Sequence, residues 1–176
     1  IPELLALQTP VSDGPEHDEM LFIVIHQVYE LWFKQQRHEA ARVQQLLARG
    51  ETAEAMSTLR RMLTILKTMV AQIDVLETMT PVQFLSFRKF LENSSGFQSW
   101  QFRAFEFALG KKSPRFTAMF PDGTDERRQL DALSAILPLE RRDQLAKILT
   151  DDDVATLRHL AKEGMGENSL RALASD

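Results

Sequence analysis

The 176-residue chain has no cysteine, one tyrosine, seven glycines and seven prolines. Without cysteine there are no disulfides, thiolate nucleophiles, zinc thiolate centres, or cysteine-ligated clusters or haem within this sequence. Glycine and proline fall mostly between long periodic stretches, and no segment alternates as a strand would. The apolar runs fall far short of the roughly 18–20 residues that cross a bilayer, and no charged-then-apolar signal precedes them. No membrane segment is expected, and the reading is a cytoplasmic protein. A formal charge of −4 argues against a nucleic-acid surface. The basic pairs Arg60-Arg61, Lys111-Lys112 and Arg141-Arg142 read as solvated helix faces. His-Glu-x-x-His, Gly-x-Ser-x-Gly and Gly-x-Gly-x-x-Gly motifs are all missing. So are the paired Glu-x-x-His motifs of a di-iron bundle. Gly110-Lys111-Lys112-Ser113 lacks the earlier glycine and the preceding strand of a phosphate loop, and reads as a surface turn.

What is present is helical periodicity. A composition of 44% hydrophobic and 26% charged residues suits one sizeable core. The predicted fold is all-α: a helical bundle of long antiparallel helices with additional shorter ones, one domain over residues 1–176, expected to be incomplete at both ends. The first long helix is predicted from Pro15 to Arg49, with Glu16, Asp18 and Glu19 at its positive end and Gly50 as its stop. The second is predicted from Glu51 to Thr78, with Met56, Leu59, Leu63, Leu66, Val70 and Ile73 on one face; the short join makes it an antiparallel neighbour. Thr80-Pro81-Val82-Gln83 has the form of a capping box opening a third helix, which breaks at Asn93-Ser94-Ser95-Gly96. A fourth is predicted from Phe97 to Leu109, then an irregular loop over 113–124 and helices near 125–136, 139–149 and 151–163.

Within the first helix, Phe22, His26, Tyr29 and Phe33 share a face, with Glu30 beside it. An imidazole is costly to bury without partners and readily tuned to donate or accept, so this face is either core with one satisfied histidine or the wall of a pocket. His26 and Glu30, four apart, could form half a metal site, but the other half has no obvious source; Glu30 is expected to pair with another helix or orient a side chain. His17-Asp18-Glu19 diverge by about 100° per residue and are read as helix-start electrostatics. Arg88 interrupts an apolar stretch where leucine would serve a purely structural helix. It reads either as a bidentate carboxylate clamp or as a buried ion pair with Glu30, Glu77 or Glu106.

Four ordered blocks over about residues 4–110 closely resemble the tryptophan 2,3-dioxygenase family. They are His17-Asp18-Glu19-Met20-Leu21-Phe22-Ile23 through His26-Gln27-Val28-Tyr29-Glu30-Leu31-Trp32-Phe33-Lys34, Gln72-Ile73-Asp74-Val75-Leu76-Glu77-Thr78-Met79-Thr80-Pro81, Phe87-Arg88, and Ser95-Gly96-Phe97-Gln98-Ser99 with Gln101-Phe102-Arg103. The resemblance implies a helical enzyme with haem b that opens the indole pyrrole ring of L-tryptophan with dioxygen to N-formylkynurenine, as a homotetramer. It implies that His26 is the catalytic distal histidine bonding the indole N–H, that Phe22 and Phe84 line the indole pocket, that Arg88 grips the substrate carboxylate and that Ser95 lies beside the haem.

The sequence departs from the family pattern at its end. Members carry a haem-ligating histidine on a late helix followed by a Gly-Thr-Gly-Gly-type loop. Here the late histidine is His159, followed by Gly164-Met165-Gly166-Glu167-Asn168-Ser169, and it does not match; no metal ligand is assigned. The aromatic segment that in the family reaches a neighbouring subunit's site also has no match. The alternatives are a related haem-dependent aromatic oxygenase acting on a modified indole or tyrosine-like substrate, and a non-catalytic helical ligand-binding module.

Overall fold

A computed structural model describes residues 1–14, 16–91 and 99–135. Every regular element among them is helical, as the periodicity predicts. They are α1 Pro2–Leu5, α2 His17–Ala48, α3 Thr52–Ala71, α4 Ile73–Leu76, α5 Pro81–Arg88 with a 3₁₀ turn Lys89–Leu91, α6 Trp100–Ala108, α7 Pro114–Thr117 and α8 Asp125–Ala135. None is long and apolar enough to cross a membrane.

The 32-residue α2, about 48 Å long at 1.5 Å per residue, is the spine against which α3 and α6 pack. Its stop follows from Gly50, whose φ of 75° only glycine adopts without strain. That turn lets Glu51 N–H reach Leu46 O at 2.9 Å and Gly50 N–H reach Leu47 O at 3.2 Å, a Schellman pair that satisfies the last carbonyls and sends α3 back antiparallel. Gly110, at φ 95°, ends α6 in the same way, through Lys111 N–H to Glu106 O and Gly110 N–H to Phe107 O. The capping box at α5 is present: Thr80 Oγ1 accepts from Gln83 N–H at 3.4 Å, and Thr80 N–H donates to Gln83 Oε1 at 2.8 Å.

The main core lies between the C-terminal two-thirds of α2 and α3. It joins Phe33, Ala40 and Val43 to Leu59, Met62, Ile65, Leu66 and Met69, with Phe105 closing it from α6. A smaller cluster of Ala104, Phe107 and Leu130 seats α8 on α6.

Three boundaries depart from the sequence prediction. The helix expected over 51–78 breaks at Gln72. There the Tyr29 hydroxyl, arriving from α2, donates to Met69 O at 2.5 Å, while Gln72 N–H is shared between Thr68 O and Met69 O. A foreign donor in the carbonyl ladder is a known cause of such a break. The segment expected to be irregular contains α7, with Pro114 at its first position; Arg127 of α8 donates to Thr117 O and Phe120 O, fixing the turn that follows. α1, too short to show a period, was not predicted. The helices expected over 139–149 and 151–163 lie outside the described residues.

Candidate functional site

The N-terminal half of α2 carries the candidate site, and α5 supplies its facing wall. Phe22 and His26 lie one turn apart with ring centroids 4.1 Å from each other. Phe22 also meets Phe84 at 5.6 Å and Phe87 at 5.5 Å, and Phe84 and Phe87 meet edge-to-face at 5.5 Å. These separations are ordinary for favourable aromatic pairs. Three of the expected site residues, Phe22, His26 and Phe84, therefore come together from segments about sixty residues apart. Phe87 is fully buried at the centre of the group. The sequence reading gave Phe87 no role, although its spacing from Phe84 puts both rings on one face of α5.

His26 is half-buried, and its Nδ1 lies 2.7 Å from Phe22 O. A carbonyl can only accept, so Nδ1 carries the proton of this bond. In the neutral ring Nε2 then keeps its lone pair and is an acceptor. The histidine is thus satisfied at one nitrogen and an acceptor at the other, with its ring packed on Phe22, which in turn meets Phe84 and Phe87.

Arg88 is the last residue of α5, one turn beyond Phe84 and next to Phe87, and is half-buried. Of the acids considered as its partners, Glu106 pairs with Arg103 at 2.6 Å and Lys111 at 2.8 Å. Glu30 accepts from Gln101 Nε2 at 2.8 Å. That bond bears out the expectation that Glu30 engages another helix. The same amide nitrogen donates to Glu30 O at 3.1 Å, and Gln101 Oε1 accepts from Arg37 at 3.2 Å. Arg37 stacks over Trp100 at 4.2 Å and reaches Gln129 of α8 at 2.9 Å. Burial lowers the Arg37 pKa, and the Glu30 charge works against that.

A strap of residues 7–12 is tied to this half of α2 at two points. Glu19, wholly buried, accepts from Val11 N–H at 2.6 Å, from Ser12 N–H at 3.3 Å and from the Ser12 hydroxyl. Two turns on, Gln27 donates to Leu7 O at 3.1 Å and accepts from Gln8. Burial works to raise the Glu19 pKa, but the Ser12 hydroxyl and the two N–H groups outweigh it, so the carboxyl is held below its usual range. Glu19 is therefore a loop anchor, where the sequence suggested only helix-start electrostatics. Among the described residues no three His, Cys, Asp or Glu side chains gather as a metal site. Ser95 and His159 lie outside the described residues.

An aromatic wall with one lone-pair nitrogen at its edge suits a flat apolar ring that has a single N–H donor.

The sequence profile of tryptophan 2,3-dioxygenase matches residues 1–148. A tryptophan 2,3-dioxygenase of Herpetosiphon aurantiacus is 62% identical over 120 residues, covering 68% of this chain and 46% of that protein. One from Anaeromyxobacter sp. (strain K) is 56% identical over 133 residues, covering 76% and 49%. One from Kineococcus radiotolerans is 42% identical over 162 residues, covering 92% and 52%. The chain spans about half the length of these curated relatives. With a profile match over most of its residues and this level of identity, the chain belongs to the tryptophan 2,3-dioxygenase family.

Proposed function

We propose that the protein carrying this chain is a haem b-dependent dioxygenase that converts L-tryptophan and dioxygen to N-formylkynurenine, working as a cytoplasmic homotetramer. The observation that carries the reading is the bond from His26 Nδ1 to Phe22 O, which leaves Nε2 as an acceptor on a ring that packs against Phe22, the residue that joins Phe84 and Phe87. Indole is an apolar bicycle with one N–H. His26 Nε2 accepts that N–H, the phenylalanine rings exclude water around the ring, and the Arg88 guanidinium takes the substrate carboxylate in a bidentate grip.

Haem b supplies the activation of dioxygen. Ser95 is the residue of this chain proposed to lie beside it, and no axial ligand is assigned. In the reaction the C2–C3 bond of indole breaks and each carbon gains one oxygen atom, so no external reductant is consumed. His26 holds the indole N–H and fixes how the C2–C3 edge is presented, while Arg88 fixes the other end.

The test is mass analysis of the product formed by the full-length, haem-loaded protein from L-tryptophan under isotopically labelled dioxygen. A ring-opened product carrying both labelled atoms is expected. A hydroxylated product with one labelled atom would favour a related aromatic oxygenase, and no turnover a non-catalytic module. Light scattering tests the tetramer.

A further inference from the structure

The N-terminal half of α2 extends beyond the main core. Over residues 17–28 only Glu19 and Ile25 are buried, and α2 first meets the main cluster at the partly buried Tyr29, with Phe33 its first buried member. His26 therefore sits on a stretch of helix that the core does not clamp. Two polar ties lie where the core ends. Tyr29 holds Met69 O of α3, and burial pushes its hydroxyl up to about 12, so it stays a donor through the physiological range. One residue on, Gln101 grips Glu30 twice through one nitrogen, at the backbone oxygen and at the carboxylate. A single contact would let the helix pivot. Two contacts on one residue fix both its depth and its rotation.

Glu30 stands one turn after His26, about 6 Å along the axis and near the same face. The amide of Gln101 is itself held at its other end by Arg37, which is braced on Trp100 and on Gln129 of α8. A chain of bonded groups thus runs from Gln129 of α8 to Arg37, itself on α2, then to Gln101 of α6 and back to Glu30 on the turn of α2 next to His26. One turn before His26, the aromatic contacts of Phe22 join α2 to α5, which carries Phe84 and Arg88.

We infer that Glu30 and Gln101 are positioning residues that hold His26 in register with the aromatic wall and Arg88 of α5. The inference rests on the reading of His26 as acceptor for the indole N–H. Both residues are only half-buried, so the tie adds little apolar burial. Its leverage lies in the angle at which His26 is presented, and small misplacements of a positioned group are costly in rate.

The test is a double-mutant cycle in the full-length, haem-loaded protein, with His26→Ala, Gln101→Leu and the double variant compared by kcat/KM for L-tryptophan. Gln101→Leu is expected to lose about tenfold or more alone. In the His26→Ala background it should lose no more than about twofold, because the residue it positions is gone. Gln101→Asn, one methylene shorter with the amide kept, should lose rate in the same background-dependent way if the leucine variant folds poorly. Glu30→Gln keeps the backbone oxygen and one side-chain acceptor oxygen, so its loss should be smaller than that of Gln101→Leu and depend on the background in the same way. In the haem-free protein, amide exchange of Gln101→Leu should quicken over residues 17–30 and not over 33–48. Equal losses in both backgrounds, or exchange that quickens uniformly, would overturn the inference. If His26→Ala alone leaves kcat/KM unchanged, the reading of His26 itself fails and this inference goes with it.

Discussion

His26 and Phe22 are joined twice, by a 2.7 Å bond from Nδ1 to the Phe22 carbonyl and by ring centroids 4.1 Å apart. The first contact decides which nitrogen holds the proton, and the second fixes the ring plane against the wall. The Nδ1–H tautomer is therefore expected for neutral His26. Nitrogen-15 NMR of labelled histidine, assigned by comparison with His26→Ala, checks it; a proton on Nε2 would contradict the acceptor role.

Phe87 is the pivot between this site and the fold, fully buried and in contact with both Phe22 and Phe84. Truncating it to alanine should cost about 3–5 kcal/mol in denaturant unfolding. Phe84→Ala, at a partly exposed ring, should cost less and act mainly on tryptophan affinity.

Glu19 predicts a pH dependence of the strap. Its pKa is held below the ordinary value of 4.5, so the stability it adds is fully present above that value and is lost as pH falls through the lower, folded-state pKa. Protection of the Val11 and Ser12 amides in hydrogen exchange should be high at neutral pH and fall only in that acidic window. Glu19→Gln should remove most of this pH dependence.

Arg103 and Glu106 form a buried pair on α6, with the guanidinium stacked 3.9 Å from the Phe116 ring centroid. Glu106→Ala should destabilise by about 3–5 kcal/mol because it strands a buried charge, whose Nε already has no partner. The paired change Arg103→Met with Glu106→Leu should cost much less. Chemical denaturation of the two variants beside wild type decides it.

The sequence disclosed those features whose causes are local. Gly50 and Gly110 end helices because the chain needs a positive φ there, and the capping box at Thr80 needs only four consecutive residues. The break at Gln72 was hidden because its cause, the Tyr29 hydroxyl, comes from forty residues away. The order in 113–124 was hidden because Arg127 supplies it from the next helix. At the site, periodicity put Phe22 and His26 on one face. Their meeting with Phe84 depends on how α2 packs on α5, and in the sequence only the family resemblance pointed to it. Gln101 stood in one of the resembling blocks but was given no role, because glutamine at a helix start has no signature until its partner at Glu30 is seen.

The central claim is that His26 accepts the indole N–H. The most direct measurement is kcat/KM for L-tryptophan and for its 1-methyl analogue, which lacks that proton, in full-length wild type and in His26→Ala. The account predicts a loss of about tenfold or more for tryptophan in the variant, the scale of one hydrogen bond to a positioned group, and less than about twofold for the methyl analogue. Equal losses on both substrates would contradict it.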